Sequence, residues 1–431
     1  MEKKEVDLEE LTAGIDQLEG DVGEQIGEVH DDSEEIKTPE QPYIKLHTAD
    51  FIFVLKLFAS MNRSLRDILS RAAFIKVIKS DAGGNITVCM TDGVFFGKVD
   101  LPYQEISSDF PEEFVLDYDS LTKVASMAGK SIYLVCEDGH YYIDFFGGRV
   151  HMPSFNLDFT HLTKQSEKLG SLKGNPVELP APNFLRNLSI AHEYLTSSQL
   201  PNLSFMFVKE GDVYLSNGYT VMRLKAELDF TSAVRKVDLP FMTAATKIAL
   251  KSGLELDMGD NRLSVFSDDV AVSIPKVNEE LPGSYVQKIS EFDKVKSSHF
   301  AVDFAKFYLL LSLLSKVYRA SGVVTLKAEG DSLTLRSKSL DDEESFMVLS
   351  RSKVGQLEDC ELSFSVAGLL SVLKSLKAFS YLNLTIKGNS FCLFNDLVTI
   401  VVFGTGTSAK TDTFKLKKAG NRRSKQSEGK K

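Results

Sequence analysis

The chain has 431 residues, a formal net charge of −10, 43% apolar and 26% charged residues, and no tryptophan. That composition is ordinary for a soluble globular protein, and the length predicts two to four domains rather than one core. No apolar run approaches the length of a membrane span, and the acidic balance means that any nucleic-acid role must come from local basic faces.

In chain order, residues 1–42 form an acidic stretch almost free of aromatics, expected to be a disordered tail with a possible short helix around 5–19. Its start, MEKKEVDLEELTAG, lacks the basic-then-apolar layout of a signal peptide, so an intracellular, cytoplasmic protein is expected. A helical pattern, DFIFVLKLFASMNRS, begins at Asp50 and places Phe51, Val54, Leu55 and Phe58 on one face. The alternating run ITVCMTDGVFFGKVDL (86–101) is broken at Asp92-Gly93, which predicts a hairpin. A second helix, YDSLTKVASMAG, and strand-like runs to SIYLVCEDGHYYIDFFGGRVHMPS follow.

The same order then recurs. NFLRNLSIAHEYLTS starts at Asn183 and aligns Leu185, Leu188, Ala191 and Leu195. VYLSNGYTVMRLKAEL (213–228) repeats the hairpin with Asn217-Gly218, 125 residues after Asp92. LPFMTAATKIALKSG and LELDMGDNRLSVFSDDVAVSIP complete the unit. A third unit opens with DFAKFYLLLSLLSKVYRA at Asp303, with Phe304, Phe307, Tyr308 and Leu311 as its stripe. GVVTLKAEG, SLTLRSKS, an acidic turn DDEES, FMVLS, the helix SVAGLLSVLKSLKAF and LNLTIKGNSFCLFNDLVTIVVFG follow. Asp50, Asn183 and Asp303 are plausible N-caps. The second helices, from Asp117, Pro240 and Val366, are spaced by 123 and 126 residues. So long a repeat indicates repeated domains rather than a solenoid, and hairpin-spaced strands indicate α+β. The chain ends in a basic stretch, expected to be disordered: a solubilising extension, or a loose tether to DNA or an acidic partner.

The helices share a sign bias. Lys247 and Lys251 lie opposite Ala245, Ile248 and Ala249; Lys123 and Lys130 lie opposite Leu121, Val124, Ala125 and Ala128. Arg186 faces away from its leucine stripe. Lys306 and Lys316 lie off theirs, and Lys374 and Lys377 flank the last one. The first helix fits worst, because Phe53 and Leu57 dilute a polar face left mainly with Lys56 and Arg63. Glu193 is one acidic exception. One lysine on a helix is a solvated face; a set of basic helix faces on an acidic chain suggests a phosphate-facing surface with no sequence preference.

These features together resemble the bacterial-type DNA sliding clamps, the β subunits of replicative DNA polymerases. The resemblance covers about residues 43–405. It rests on the threefold unit, RSLRDIL (63–69), IAHEYLTSSQL (190–200), LSNGYTVMRLKAEL, VDLP before a helix, and LPGSY (281–285). It implies clamp domains at 43–170, 171–290 and 291–405, with tails at 1–42 and 406–431. It implies a non-catalytic homodimeric ring without cofactor or metal, with helices lining a channel for duplex DNA, a clamp loader to open it and a DNA polymerase docked on one face. By the same resemblance, a groove for partner peptides would include Leu200, Ser216, Gly218, Tyr219, Val221, Pro240, Val401, Val402 and Phe403. Two departures stand out. Thr220 occupies a position where the family usually has a basic residue, and a basic tail replaces the family's short Met-Pro ending. With tails at both ends, this divergence suggests a bacteriophage-encoded version.

An enzyme would need a site, and the chain has no GxxxxGK[ST], HExxH or CxxC motif. FGTGTSA follows the last strand with no helix after it, so it is no dinucleotide loop. DDEE at 341–344 reads as a hairpin tip before a cation site. Cys89, Cys136, Cys360 and Cys392 read as small apolar residues. The seven histidines do not cluster in sequence; His192 reads as structural or partner-facing, and His140 and His151 sit in strand patterns. The competing reading is a non-enzymatic structural or regulatory protein built from clamp-like units that does not encircle DNA. A trimeric-type clamp would have two units per chain, not three.

Overall fold

The computed structural model describes residues 37–60, 68–79, 83–127, 129–146, 148–160, 162, 177–179, 181–196, 204–228, 230–249, 253–258, 262–317, 323–338, 344–377 and 379–405. Most of the acidic stretch, with its expected helix at 5–19, and all of the basic tail lie outside them. So do residues 341–343 of the DDEE turn.

The first unit contains β1 (Tyr43–His47), α1 (Thr48–Ala59), the short α2 (Ile68–Arg71), β2 (Ala72–Ile78), β3 (Asn85–Thr91), β4 (Phe96–Pro102), β5 (Glu105–Ile106), β6 (Glu113–Asp117), α3 (Tyr118–Ala125), β7 (Ser131–Glu137), β8 (His140–Phe145) and β9 (Gly148–Met152). The second contains β10 (Val177–Leu179), α4 (Ala181–Thr196), β11 (Phe205–Lys209), β12 (Gly211–Ser216), β13 (Thr220–Leu228), β14 (Ser232–Arg235), α5 (Leu239–Ala249), β15 (Leu254–Met258), β16 (Arg262–Phe266) and β17 (Val270–Pro275). A connecting helix, α6 (Gly283–Asp293), leads to the third: β18 (His299–Asp303), α7 (Phe304–Val317), β19 (Val323–Glu329), β20 (Ser332–Lys338), β21 (Glu344–Ser350), β22 (Lys353–Val354), β23 (Cys360–Ser365), α8 (Val366–Lys374), β24 (Tyr381–Lys387), β25 (Ser390–Phe394) and β26 (Val398–Phe403).

All strand pairs are antiparallel, and the threefold unit expected from the sequence is present. The sheets, however, do not respect the units. The order β10-β15-β16-β17-β4-β3-β2-β6 makes one sheet from the second half of unit two and the first half of unit one. The order β14-β11-β12-β13-β26-β25-β24-β18-β22 likewise joins unit two to unit three. At both junctions the third strand after a unit's first long helix pairs with the third strand after a unit's second: β4 with β17, Val99 opposite Val270, and β13 with β26, Val221 opposite Val401. Among the described residues two half-sheets remain unjoined, β5-β1-β7-β8-β9 and β21-β20-β19-β23, and β9 and β21 end them without a further strand.

Strand alternation sorts each sheet into two faces. Met206, Val208, Val213, Leu215, Met222, Ile400 and Val402 point to the helices and join the main core. Their neighbours Phe207, Tyr214, Val221 and Val401 point the other way and are covered by Tyr285, Ile289 and Phe292 of α6. At the other junction, Phe74, Cys89, Phe96 and Phe266 are covered by Phe155, Leu157, Phe159 and Leu162 of the connecting segment. So the helices occupy one side of the sheets, and the connectors cover the opposite side at each junction.

The helices also pack across the junctions, α1 on α5 and α4 on α8. Gly97 of β4 makes the first approach possible: a Cβ there would lie 2.7 Å from Phe58 of α1 and 3.2 Å from Phe241 of α5. The rings of Phe95 and Phe241 meet edge-on at 5.9 Å, and Arg262 donates to the Val94 carbonyl at 2.7 Å.

Helix starts follow the sequence in part. Asp303 Oδ1 accepts from the Lys306 N–H at 2.8 Å, as an N-cap should. Asp50 instead lies inside the first turn of α1, which starts two residues earlier at Thr48 because β1 runs straight into it; His47 precedes the helix without a side-chain cap. Asn183 likewise lies inside α4, which opens at Ala181. Asp117 caps α3, accepting from Ser120 N at 3.0 Å and from Arg71 Nη2 at 2.6 Å. Burial opposes the Asp117 charge, but Ser120 and Arg71 outweigh it and hold the carboxyl below its ordinary pKa. Asp117→Ala is therefore expected to destabilise the fold by about 2 kcal/mol. Asp117→Asn keeps a capping oxygen and loses the charge. A depressed carboxyl stabilises above its unfolded pKa and stops doing so as pH falls through the folded one. The gap between wild type and Asp117→Asn in urea unfolding should be full at neutral pH and close below about pH 4.

The four cysteines are unpaired. Cys89 and Cys392 are buried apolar residues, and burial pushes their thiols up to about 12. Cys136 and Cys360 are only half-buried. The histidines depart from the expectation. The β8–β9 pairing brings the His140 and His151 rings to 5.8 Å, beside Tyr142, a proximity their separation in sequence hides.

Candidate nucleic-acid interface and docking groove

The basic residues singled out in the sequence that lie among the described residues fall on the helices or just beyond their ends. Lys56 on α1, Lys123 on α3, Lys306 and Lys316 on α7 and Lys374 on α8 are exposed, as are Lys130 and Lys377 just beyond α3 and α8. Lys247 on α5 is half-buried. Arg186 on α4 is also half-buried, where desolvation lowers its pKa against the opposing pull of Glu227. Arg63 and Lys251 lie outside the described residues. Lys56, Lys123, Lys247, Lys316 and Lys374 all sit in the last turn of their helices, where the helix dipole already favours a cation. Lys306 has no such account: it lies in the first turn of α7, at the end that repels cations, and is exposed. Asp50 and Asp119, the first-turn carboxylates of α1 and α3, lie at the opposite helix ends from Lys56 and Lys123.

The residues of the implied groove divide between the two faces. Val221 and Val401 are buried beneath α6, with Phe403 half-buried against the same cluster. Val402, their neighbour, points to the helix side. Ser216 is buried and beside Tyr285, whose hydroxyl burial pushes to a higher pKa despite the serine. Pro240 is half-buried at the start of α5, and Leu200 lies outside the described residues. Gly218 and Tyr219 are exposed, Tyr219 at 59%.

Tyr219 stands at the tip of the β12–β13 hairpin. Asn217 Oδ1 accepts from the N–H of Tyr219 and of Thr220, each at 3.0 Å, and Gly218 takes φ +91°, which suits glycine. The buried Tyr194 hydroxyl of α4 holds Thr220, donating to its carbonyl at 3.0 Å. The Tyr219 ring rests on Gly368 in the first turn of α8: a Cβ there would lie 3.2 Å from it. An exposed ring is thus fixed between the second unit's hairpin and the third unit's helix, with Phe403 alongside through a 3.2 Å hydrogen bond to the Tyr219 carbonyl. The sequence reading missed Gly368, Asn217 and Tyr194 as parts of this site. The Asn-Gly pair signalled Asn217; a glycine in the first turn of SVAGLL was the available hint for Gly368.

On the far side of the β13–β26 junction lies a cavity of about 240 Å³ lined by Arg223, Lys225, Lys296 and residues 394–399. Two of its cations are engaged: Arg223 and Lys296 both bond Asp293, at 3.0 and 2.8 Å. Among the described residues, no three His, Cys, Asp or Glu side chains come together as a metal site.

No protein-family model matches the chain, and the comparison with curated proteins gives no match. Solved structures do match. The DNA polymerase III β subunit of Thermotoga maritima aligns at TM-score 0.64 and 14% identity, over 85% of this chain and 100% of that one. The Bacillus subtilis sliding clamp aligns at 0.63 and 13%, over 86% and 100%. A Helicobacter pylori β clamp bound to a DNA ligase peptide aligns at 0.64 and 14%, over 84% and 100%. At such identities the likeness speaks for architecture: over some 85% of its length, this chain has the α+β fold of the bacterial DNA polymerase III β sliding clamp.

Proposed function

We propose that the chain is a DNA sliding clamp: two copies close head to tail around duplex DNA and tether a DNA polymerase and other partners. The supporting observation is the unfinished sheet pattern. Two junctions, β4–β17 and β13–β26, use one rule, and applied to the two remaining ends that rule would pair β21 of one copy with β9 of another. One chain cannot satisfy it at both ends, whereas two chains can satisfy it twice and close. Closure also pairs edge strands, which are a liability when left open. Helix packing extends in the same way. With α1 on α5 and α4 on α8 inside the chain, α7 is left to meet α3 of a second copy.

Under this reading, residues 43–170, 171–290 and 291–405 are three clamp domains, giving six in the ring. The ring holds DNA by enclosure, and the helix lysines add an attraction without register that permits sliding. A clamp loader opens the ring. No catalysis is assigned. The site of action is the cytoplasm of a bacterium, or of a phage's host if the chain is phage-encoded.

The hairpin tip at Tyr219 is the docking point. A peptide bound to the H. pylori clamp supports a peptide as the ligand class. Tyr219→Glu should cost about 2 kcal/mol of docking, some thirtyfold in affinity. Primer extension should lose its stimulation by the clamp while the dimer persists. Stimulation unchanged in Tyr219→Glu would remove the hairpin from the docking site. The second reading, a clamp-like protein that does not encircle DNA, has one observation in its favour: the last-turn positions of five lysines, which the helix dipole explains without DNA.

A further inference from the structure

We propose that the exposed surface at Tyr219 and Gly368 is covered by the chain's own C-terminal segment, with Phe414 and Leu416 as the contacting side chains. The proposal rests on reading this surface as a peptide-docking site. It makes the tail a built-in competitor that an incoming partner peptide must displace.

The first support is where the described chain ends. Phe403 N donates to the Tyr219 carbonyl at 3.2 Å, Gly404 N to the Asn389 carbonyl at 2.9 Å and Thr405 N to the Ser363 carbonyl at 2.6 Å. A Cβ on Gly404 would run into Leu362 and Asn389, so a glycine is needed for the chain to leave β26 along this path. Ser363 lies two residues before Ser365, which caps α8 by accepting from Gly368 N at 3.4 Å. Gly368 in turn carries the Tyr219 ring. The segment therefore departs within one strand-to-helix step of the exposed aromatic.

The second support is the composition of the segment itself. Residues 406–431 contain two large apolar side chains, Phe414 and Leu416, set among Lys415, Lys417 and Lys418. Bound as an extended strand, the segment would present both on one side, the arrangement that lets alternate residues make contact. Phe414 is nine residues beyond Thr405, a reach of about 30 Å when extended, so geometry does not forbid the return. A tether this short gives an effective concentration on the order of 1 mM. Even a weak segment, with a dissociation constant of about 100 µM, would then be bound about nine-tenths of the time and raise a competitor's apparent dissociation constant roughly tenfold.

The test uses the full chain and a fluorescent peptide of residues 409–420, AKTDTFKLKKAG. Binding is measured by anisotropy to wild type, to the double variant Phe414→Ala/Leu416→Ala, and to that variant with Tyr219→Glu added. With Tyr219 uncovered, the double variant should bind the peptide about tenfold more tightly than wild type. Adding Tyr219→Glu should abolish the gain. Equal binding to wild type and the double variant, no binding to either, or a gain that survives Tyr219→Glu would each overturn the proposal. Retention on circular DNA is measured on the same three proteins. If all are retained while the peptide results are negative, the tail proposal fails and the clamp reading stands. If none is retained, the clamp reading itself fails.

Discussion

Leu309→Asp/Leu313→Asp is expected to convert a two-chain particle, twice 47.8 kDa, into a monomer of 47.8 kDa without unfolding it. Both leucines are on α7, 57% and 43% exposed in the single chain, so the fold does not depend on them. They sit one helical turn apart, on the helix whose counterparts α1 and α4 are covered by a neighbouring unit. Counted from the equivalent strand-to-helix steps, His47–Thr48 and Asp303–Phe304, they occupy the places of Phe53 and Leu57, and Leu57, on a helix that already has its neighbour, is buried at 1%. On α3, which packs on α1 of its own unit and on no helix of another unit among the described residues, the chain just beyond the C-terminus exposes Met127 at 65%. Each buried leucine contributes about 2 kcal/mol, so two per junction and two junctions per ring sum to about 8 kcal/mol. That is roughly a millionfold in dissociation constant, before the cost of burying the aspartates. Light scattering over a range of concentrations reads the result. A variant that stays at twice the chain mass, with unchanged circular dichroism, would place the contact elsewhere.

The second large effect concerns the helix lysines. Combined Lys123→Ala, Lys247→Ala, Lys306→Ala and Lys316→Ala should shorten clamp retention on DNA and flatten its salt dependence. Each phosphate partner removed lowers the slope of log K against log salt by about 0.9. If all four lysines of both chains face phosphates, the slope falls by about 7.2; a fall near 1.8 would mean that one of the four in each chain faces the backbone. Lys306 is the informative member. The dipole of α7 disfavours it, so Lys306→Ala should leave thermal stability unchanged or slightly raised while it weakens DNA binding. Lys316→Ala should cost a few tenths of a kcal/mol of stability as well, since that cation sits where the dipole favours it. Retention and salt slope identical to wild type in the quadruple variant would count against a DNA-facing role for these helices.

The units themselves were legible in the sequence because their signals are local. Phe51, Val54, Leu55 and Phe58 announce α1 by spacing alone, and Asp92-Gly93 and Asn217-Gly218 announce two hairpins. The joining of β4 to β17 was not legible. Val99 and Val270 are 171 positions apart, and nothing in either strand names its partner. Leu309 and Leu313 were visible, but in FYLLLSLL the helix is apolar all round, which reads as burial within one chain. The hairpin tip that carries Tyr219 was legible, and the faces of the other residues implied for a groove were not. Val401, Val402 and Phe403 entered the groove as a consecutive run, yet strand alternation sends Val402 to the opposite face. Gly368 escaped notice because a glycine in a helix has meaning only once the ring lying against it is known.

Enclosure of DNA is the central claim, and a topological experiment tests it without a loader. A linear plasmid is mixed with the protein so that rings thread over its ends, then circularised with ligase and washed at 1 M salt, roughly a 3 Å screening length, which removes electrostatic binding. The expected result is protein retained on the closed circle and shed when one restriction cut reopens it, with Leu309→Asp/Leu313→Asp retained on neither. Protein that washes off the closed circle, or that stays equally on circular and cut DNA, would contradict enclosure.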